Sequence, residues 1–261
     1  MKKIFGVFMA IAIGSFSLNS CDPWEDENNN PSDGGGPDGP GMVMLLKKST
    51  MVSSNGVTSE YTYTYDGQNR LSNIKNIMNI QDATTYSEAV YQYPSDGVVK
   101  LTAKSYSAGQ LQSTSTTTLQ IISSTSATMT IVSDIVGDIS SEITYSAPCG
   151  ITKMITNWDG FNQTSTKEYF DEKCSFKEFI DGELKSTTFN DNKNYPIFDP
   201  LTVAMGITNH NPIKIEETDG TSEVISYLYN DANYPTKATH TFSNEDPDQG
   251  IMNYTETFEY Q

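Results

Sequence analysis

The segment Glu60-Tyr61-Thr62-Tyr63-Thr64-Tyr65 alternates strictly, with three tyrosines on one side and small or charged residues on the other. That period of two belongs to a half-buried strand, and it excludes an amphipathic helix over the same residues. Asp66-Gly67-Gln68-Asn69 supplies turn chemistry, and Arg70-Leu71-Ser72-Asn73-Ile74 reads as the returning strand. The unit recurs. Tyr91-Gln92-Tyr93 leads through Pro94-Ser95-Asp96-Gly97 to Val98-Val99-Lys100-Leu101, and Ile143-Thr144-Tyr145 through Pro148-Cys149-Gly150 to Ile151. Tyr169-Phe170 precedes Asp171-Glu172-Lys173 and Cys174-Ser175-Phe176. Tyr227-Leu228-Tyr229 leads through Asn230-Asp231-Ala232-Asn233 to Tyr234-Pro235, and Phe258-Glu259-Tyr260 stands near the C-terminus. A single hairpin is marginal in water, so such units must pair laterally to bury their tyrosine faces. The expected fold is mainly β: an antiparallel meander of hairpins forming an open or partly closed barrel-like sheet.

Trp158-Asp159-Gly160 and Ile180-Asp181-Gly182 add tight hairpin turns. Two tracts break the rhythm. Ser113 to Thr130 holds 12 Ser or Thr among 18 residues. Thr and Ile favour strand there, with a disordered stretch as the alternative. Phe198-Asp199-Pro200-Leu201-Thr202-Val203-Ala204-Met205-Gly206 is apolar, with a cap at Asp199 and Pro200 in the first turn. It predicts a short helix near 199–205, laid across the inner face of the sheet.

The N-terminus has a different character. Lys2 and Lys3 precede a 13-residue apolar run, Ile4 to Phe16, too short to span a bilayer, which takes about 20 residues. Leu18-Asn19-Ser20-Cys21 resembles the lipobox of bacterial lipoproteins. The resemblance implies a signal peptide over 1–20 and acylation of Cys21, whose chains would hold the protein at a membrane. Asn19 departs from the commoner small residues. Residues 21–41 run from an acidic start, Asp22-Pro23-Trp24-Glu25-Asp26-Glu27, into an Asn-, Gly- and Pro-rich stretch with nothing to bury. Twenty such residues span roughly 25 Å as a flexible tether. Residues 42–261 then form one antiparallel β domain.

Charge narrows the partners. Without Lys2 and Lys3 the 16 basic residues become 14 against 33 acidic, a formal charge of −19, and Arg70 is the sole arginine. Nucleic acid needs clustered cations, so it is excluded as a partner. Cys149 and Cys174 remain after lipidation of Cys21. In an exported chain they form either a disulfide or two separate buried thiols.

The tract Phe198 to Gly206, then Asn211-Pro212-Ile213-Lys214-Ile215, then Tyr229 to Lys237, resembles a family of Bacteroidetes lipoproteins described as having a porin-like fold. Acidic residues just behind the lipidated cysteine also resemble a signal for surface display in that group. The Tyr63 to Leu71 unit is similar to the Tyr-Asp repeat of large bacterial surface and toxin shells, with Asn69 where those repeats usually carry Gly. The resemblance implies an antiparallel barrel at the outer membrane or cell surface and brings no catalytic residue.

The chain has no Gly-rich phosphate loop, no Gly-x-Ser-x-Gly elbow and no His-Glu-x-x-His helix. No cofactor is expected. His210 and His240 read as turn or surface residues. Asn244, Asp246 and Asp248 alternate like the opening of a calcium loop, but an acidic hairpin tip explains them better. Trp158, beside a tight turn, is a candidate platform for a ligand, and Tyr61, Tyr63 and Tyr65 are candidate ligand walls as well as core. The expected function is a non-catalytic lipoprotein that binds a hydrophobic or glycan ligand. The alternatives are an accessory partner of an outer-membrane complex and, less favoured, a carboxylate-based glycan hydrolase.

Overall fold

The structure, a computed structural model, describes residues 44–80, 83–146, 149–193, 195, 200–201, 205, 210–244 and 252–261. The signal segment, Cys21, the tether, Asp246 and Asp248 lie outside the described residues. Sixteen strands follow one another: β1 (Leu46–Ser53), β2 (Thr58–Tyr65), β3 (Leu71–Ile80), β4 (Ala83–Ser95), β5 (Val98–Ser107) and β6 (Gln110–Ser123). Next come β7 (Ser126–Ser133), β8 (Gly137–Ser146), β9 (Gly150–Trp158), β10 (Phe161–Tyr169) and β11 (Phe176–Ile180). The last are β12 (Glu183–Asn190), β13 (Pro212–Glu217), β14 (Ser222–Tyr229), β15 (Pro235–Phe242) and β16 (Tyr254–Tyr260).

Each strand pairs antiparallel with its sequence neighbours, and β16 returns to β1, so the meander closes into a barrel. Closure removes the two free edges that an open sheet would leave unpaired. The Ser/Thr-rich tract is strand, β6 and β7, with Leu119 and Ala127 buried on its inner side. Of the expected helix, Pro200 and Leu201 are helical, and residues 199 and 202–204 lie outside the described set.

Both described ends of the chain meet at one end of the barrel, where Leu46 pairs with Tyr260 and the Gln261 N–H donates to the Leu45 carbonyl at 2.9 Å. This is called the terminal end, and the other the distal end. The wall has opposite faces. Tyr63, Ala89, Tyr91, Val99, Leu101, Leu119, Ile143, Tyr145, Ile225 and Phe258 form one buried cluster inside. The out-of-phase positions carry exposed Lys75, Lys104, Glu142, Lys153, Glu168, Lys177, Lys237 and Glu259, separated largely by threonines. Lys48 pairs with Glu60 at 2.9 Å across this outer face. The buried apolar cluster points in, and the outer face mixes these charges with exposed Ile77, Val90, Val132, Val224 and Leu228.

Candidate functional site

The recurring tyrosines close the terminal end. Tyr65 donates its hydroxyl to the Leu46 carbonyl at 2.9 Å, and Tyr93 to Leu71 at 2.7 Å. Tyr145 donates to Ser123 at 2.7 Å, and Tyr169 to Ile151 at 3.1 Å. Tyr227 donates to Pro212 at 3.1 Å, and Tyr260 to Pro235 at 2.7 Å. In each case a tyrosine near the end of an even-numbered strand satisfies a carbonyl near the terminal end of a preceding strand. Burial pushes the phenols of Tyr65, Tyr145, Tyr169, Tyr227 and Tyr260 upward, that of Tyr169 to about 12, so they stay protonated donors at neutral pH.

The turns beyond the tyrosines share one construction. Asp66 Oδ1 accepts the N–H groups of Gln68 and Arg70 at 2.8 and 3.0 Å. Asp171 Oδ1 accepts those of Lys173 and Ser175 at 3.0 and 2.9 Å, and Asn230 Oδ1 those of Ala232 and Tyr234 at 3.1 and 2.9 Å. The residue before each second donor is left-handed: Asn69 at φ 59°, Cys174 at 57° and Asn233 at 60°. Short Asx side chains make such turns because they replace a backbone acceptor. Cys149 and Cys174 are joined by a disulfide, Cα atoms 5.1 Å apart, which ties the β8–β9 turn to the β10–β11 turn.

Between β12 and β13 the same turn is opened and an insert placed inside it. Asp191 Oδ1 accepts from Lys193 N–H at 3.0 Å, as its counterparts do, but its second donor is Asn211 N–H at 3.2 Å. The Asp191 N–H closes the loop onto the Asn211 carbonyl at 2.9 Å. From this insert Leu201 and Met205 enter the buried core of the barrel. The apolar tract recognised in the sequence has its described Leu201 and Met205 packed inside the barrel. His210 borders it, its imidazole pulled below the ordinary range by burial, against the opposing pull of Asp191 and Asp171.

Towards the distal end the inner face changes to small hydroxyls and amides. Ser59 donates to Asn76 at 2.7 Å, the Ser105 and Ser113 hydroxyls lie 2.6 Å apart, and Ser141 lies 3.1 Å from Thr156. His240, in phase with buried Ala238, is buried inside the wall rather than at the surface as its sequence context implied. Its Nδ1 lies 2.6 Å from Glu223, and its ring stacks on Tyr254 at 3.9 Å between centroids. Glu256 sits among these groups, its carboxyl raised by burial, with a hydrogen bond from Ser49 and the nearby His240 opposing the shift. On β10, Lys167 lies over the Phe176 ring at 4.3 Å. Burial pulls its ammonium down and Glu178 opposes that.

The sequence-designated ligand residues do not converge. Tyr61, Tyr63 and Tyr65 follow one another up β2, where Tyr63 is buried and Tyr65 is a closing tyrosine. Trp158 lies at the distal rim on β9, seven strands away. It pairs across the hairpin with Phe161, its indole N–H donates to the Val136 carbonyl at 2.7 Å, and 44% of its surface is exposed. Asn244 is exposed just after β15. Among the described residues no group of three His, Cys, Asp or Glu is arranged to hold a metal. Sequence reading missed the His240–Glu223 contact, although the alternation of Ala238 and His240 in β15 places both on one face.

No protein-family model matches the chain, and no curated protein matches it. Among solved structures it is similar to a porin-like protein from Bacteroides uniformis, at 13% identity over 83% of this chain and 98% of that one, with a TM-score of 0.57. The likeness is one of fold, and it agrees with the family resemblance read from the tract around Phe198 to Lys237.

Proposed function

We propose that this porin-like barrel is a non-catalytic binding module that stands beside a membrane on a lipid tether, rather than a pore through it. The supporting observation is the polarity of the wall. A barrel crossing a bilayer presents an apolar band to lipid, and a Lys at the midplane costs about 2–4 kcal/mol. Here the outer face carries exposed Lys75, Lys104, Lys153, Lys177 and Lys237 on five different strands. The buried apolar cluster is inside and takes in Leu201 and Met205 from the β12–β13 insert, and the exposed apolar residues of the outer face, among them Ile77, Val90, Val132, Val224 and Leu228, are interrupted by these lysines. Attachment then falls to Cys21, and the proposed location is the outer membrane or cell surface.

The non-catalytic reading rests on the absence of a catalytic motif in the sequence, and the interior polar groups are paired with one another. Glu223 occupies His240 Nδ1, Tyr254 covers the imidazole face, and the interior phenols are held protonated. The test is fractionation of cells expressing wild type and Cys21→Ser. The wild type is expected with outer membranes and the variant in the soluble fraction without detergent. A Cys21→Ser variant that still requires detergent would show the wall itself to be lipid-embedded.

A further inference from the structure

We propose that the interior of the barrel holds a site for an organic cation of the quaternary-ammonium type, with the Glu256 carboxylate as its counter-charge and tyrosine rings as its walls. The inference rests on the binding-module reading above and names its ligand class and place. Glu256 points inward, two residues before the buried Phe258 on β16. Its strand is paired on both sides, with Ala238 of β15 and Met51 of β1 as direct partners. The residue nevertheless stays partly accessible. With the wall closed behind it, that surface opens only into the barrel, and sixteen strands enclose more space than their side chains fill.

The neighbouring side chains shape the space. Tyr254 stands two residues along β16, Tyr227 lies beyond Ala238 on β14, and Tyr61 of β2 pairs with Ser49 of β1. All three phenols feel the Glu256 charge, and all three residues are partly accessible in turn. Between them the wall is low, because Ala238, Ser49 and Ser59 are small and buried. The Tyr227 hydroxyl is committed to the Pro212 carbonyl at 3.1 Å, so its ring rather than its donor is what the site offers. A carboxylate rising among small residues and edged by aromatic rings can hold a cation by charge on one side and by π-systems on the others.

Charge selects the ligand class. His240 Nδ1 lies 2.6 Å from Glu223, and the same imidazole acts on Glu256. Two carboxylates thus share one base, so even a protonated His240 leaves one negative charge over. Lys48 of β1 and Lys237 of β15 stand on the outer face, where Lys48 pairs with Glu60. Besides His240, the Ser49 hydroxyl supports Glu256, and burial still raises its carboxyl. In the free protein a proton meets that deficit, and a bound cation would take its place. A bare calcium ion suits the site poorly, since it takes about six or more oxygen ligands. Among the described residues no group of three His, Cys, Asp or Glu is arranged to hold a metal. An ammonium wrapped in methyl groups needs no such shell, and it packs its C–H surface on aromatic rings.

The experiment uses purified full-length protein at neutral pH, with saturation-transfer NMR and calorimetry. The probes are choline, tetramethylammonium and the uncharged isostere of choline, in which a tert-butyl group replaces the trimethylammonium. At least one cation is expected to bind at millimolar concentration, and the isostere about tenfold more weakly, a difference of about 1.4 kcal/mol. Glu256→Gln and Tyr254→Leu should each weaken the cation by about tenfold or more. Glu256→Gln removes a buried charge, so it should melt no lower than wild type, which separates lost binding from lost folding. Equal binding of cation and isostere, or undiminished cation binding in Glu256→Gln, overturns the site while leaving the binding-module reading intact. If neither cation binds, the site proposal falls. Native mass spectrometry of cell-purified protein then decides the broader reading, which falls too if no molecule accompanies the chain.

Discussion

Tyr145 illustrates why one residue type recurs at the ends of these strands. Its ring is buried in the core while its hydroxyl reaches the Ser123 carbonyl, so one side chain fills volume and satisfies a backbone group where the ladder ends. Tyr145→Phe keeps the volume and is expected to cost about 1 kcal/mol in urea unfolding, with an unchanged m value. Glu256 presents the opposite balance. Its folded-state pKa is raised above the ordinary 4.5, so the native state holds the proton more tightly than the unfolded chain. Stability from this group is therefore fully present below the unfolded value and declines as pH rises from there through the folded value. Glu256→Gln mimics the protonated carboxyl. It should raise the melting temperature at pH 7 and have little effect near pH 4, as calorimetry at the two pH values would show. A variant equally stabilised or destabilised at both would mean that burial of the charge is not the cause.

Among the elements, the Asx turns at the terminal end carry the most information. Asp66, Asp171 and Asn230 build the same short loop, and at Asp191 the loop keeps its hydrogen bonds while accepting an apolar insert. The hydrogen-bonded stem lets the insert deliver Leu201 into the core without disturbing the pairing of β12 with β13. The Cys149–Cys174 disulfide joins two turns across β9 and β10, closing a separation of 25 residues. In the chain-entropy account, opening a loop of that size lowers stability by about 3 kcal/mol. Reduction, or Cys149→Ala/Cys174→Ala, is accordingly expected to lower the unfolding free energy by that amount and the denaturation midpoint with it. A midpoint unmoved by dithiothreitol would show the bridge to be energetically idle.

In the proposed reading, the whole barrel differs from a membrane pore in which face is wet. The strand count and closure are those of a pore-sized barrel, and the proposal of a barrel held in water rests on the lysines of its outer wall and on Leu201 and Met205 packed in its core. Purified protein added to planar lipid bilayers should therefore give no ion conductance. Stepwise channel openings at protein concentrations where porins conduct would contradict the assignment of inside and outside.

The residues of β2 alone, Glu60 to Tyr65, were enough to determine strand, face and the direction of burial, because a period of two is a local property of the backbone. The repetition of that unit determined the meander, and Asp66, Asp171 and Asn230 announced the turns. What each tyrosine hydroxyl meets was not legible, since Leu46 and Ser123 lie on other strands and become neighbours only through register. The same holds for His240 facing Glu223 and for Cys149 reaching Cys174. Closure itself was decided only in three dimensions. Whether β16 meets β1 depends on twist summed over sixteen strands, and no segment of the chain encodes that sum locally.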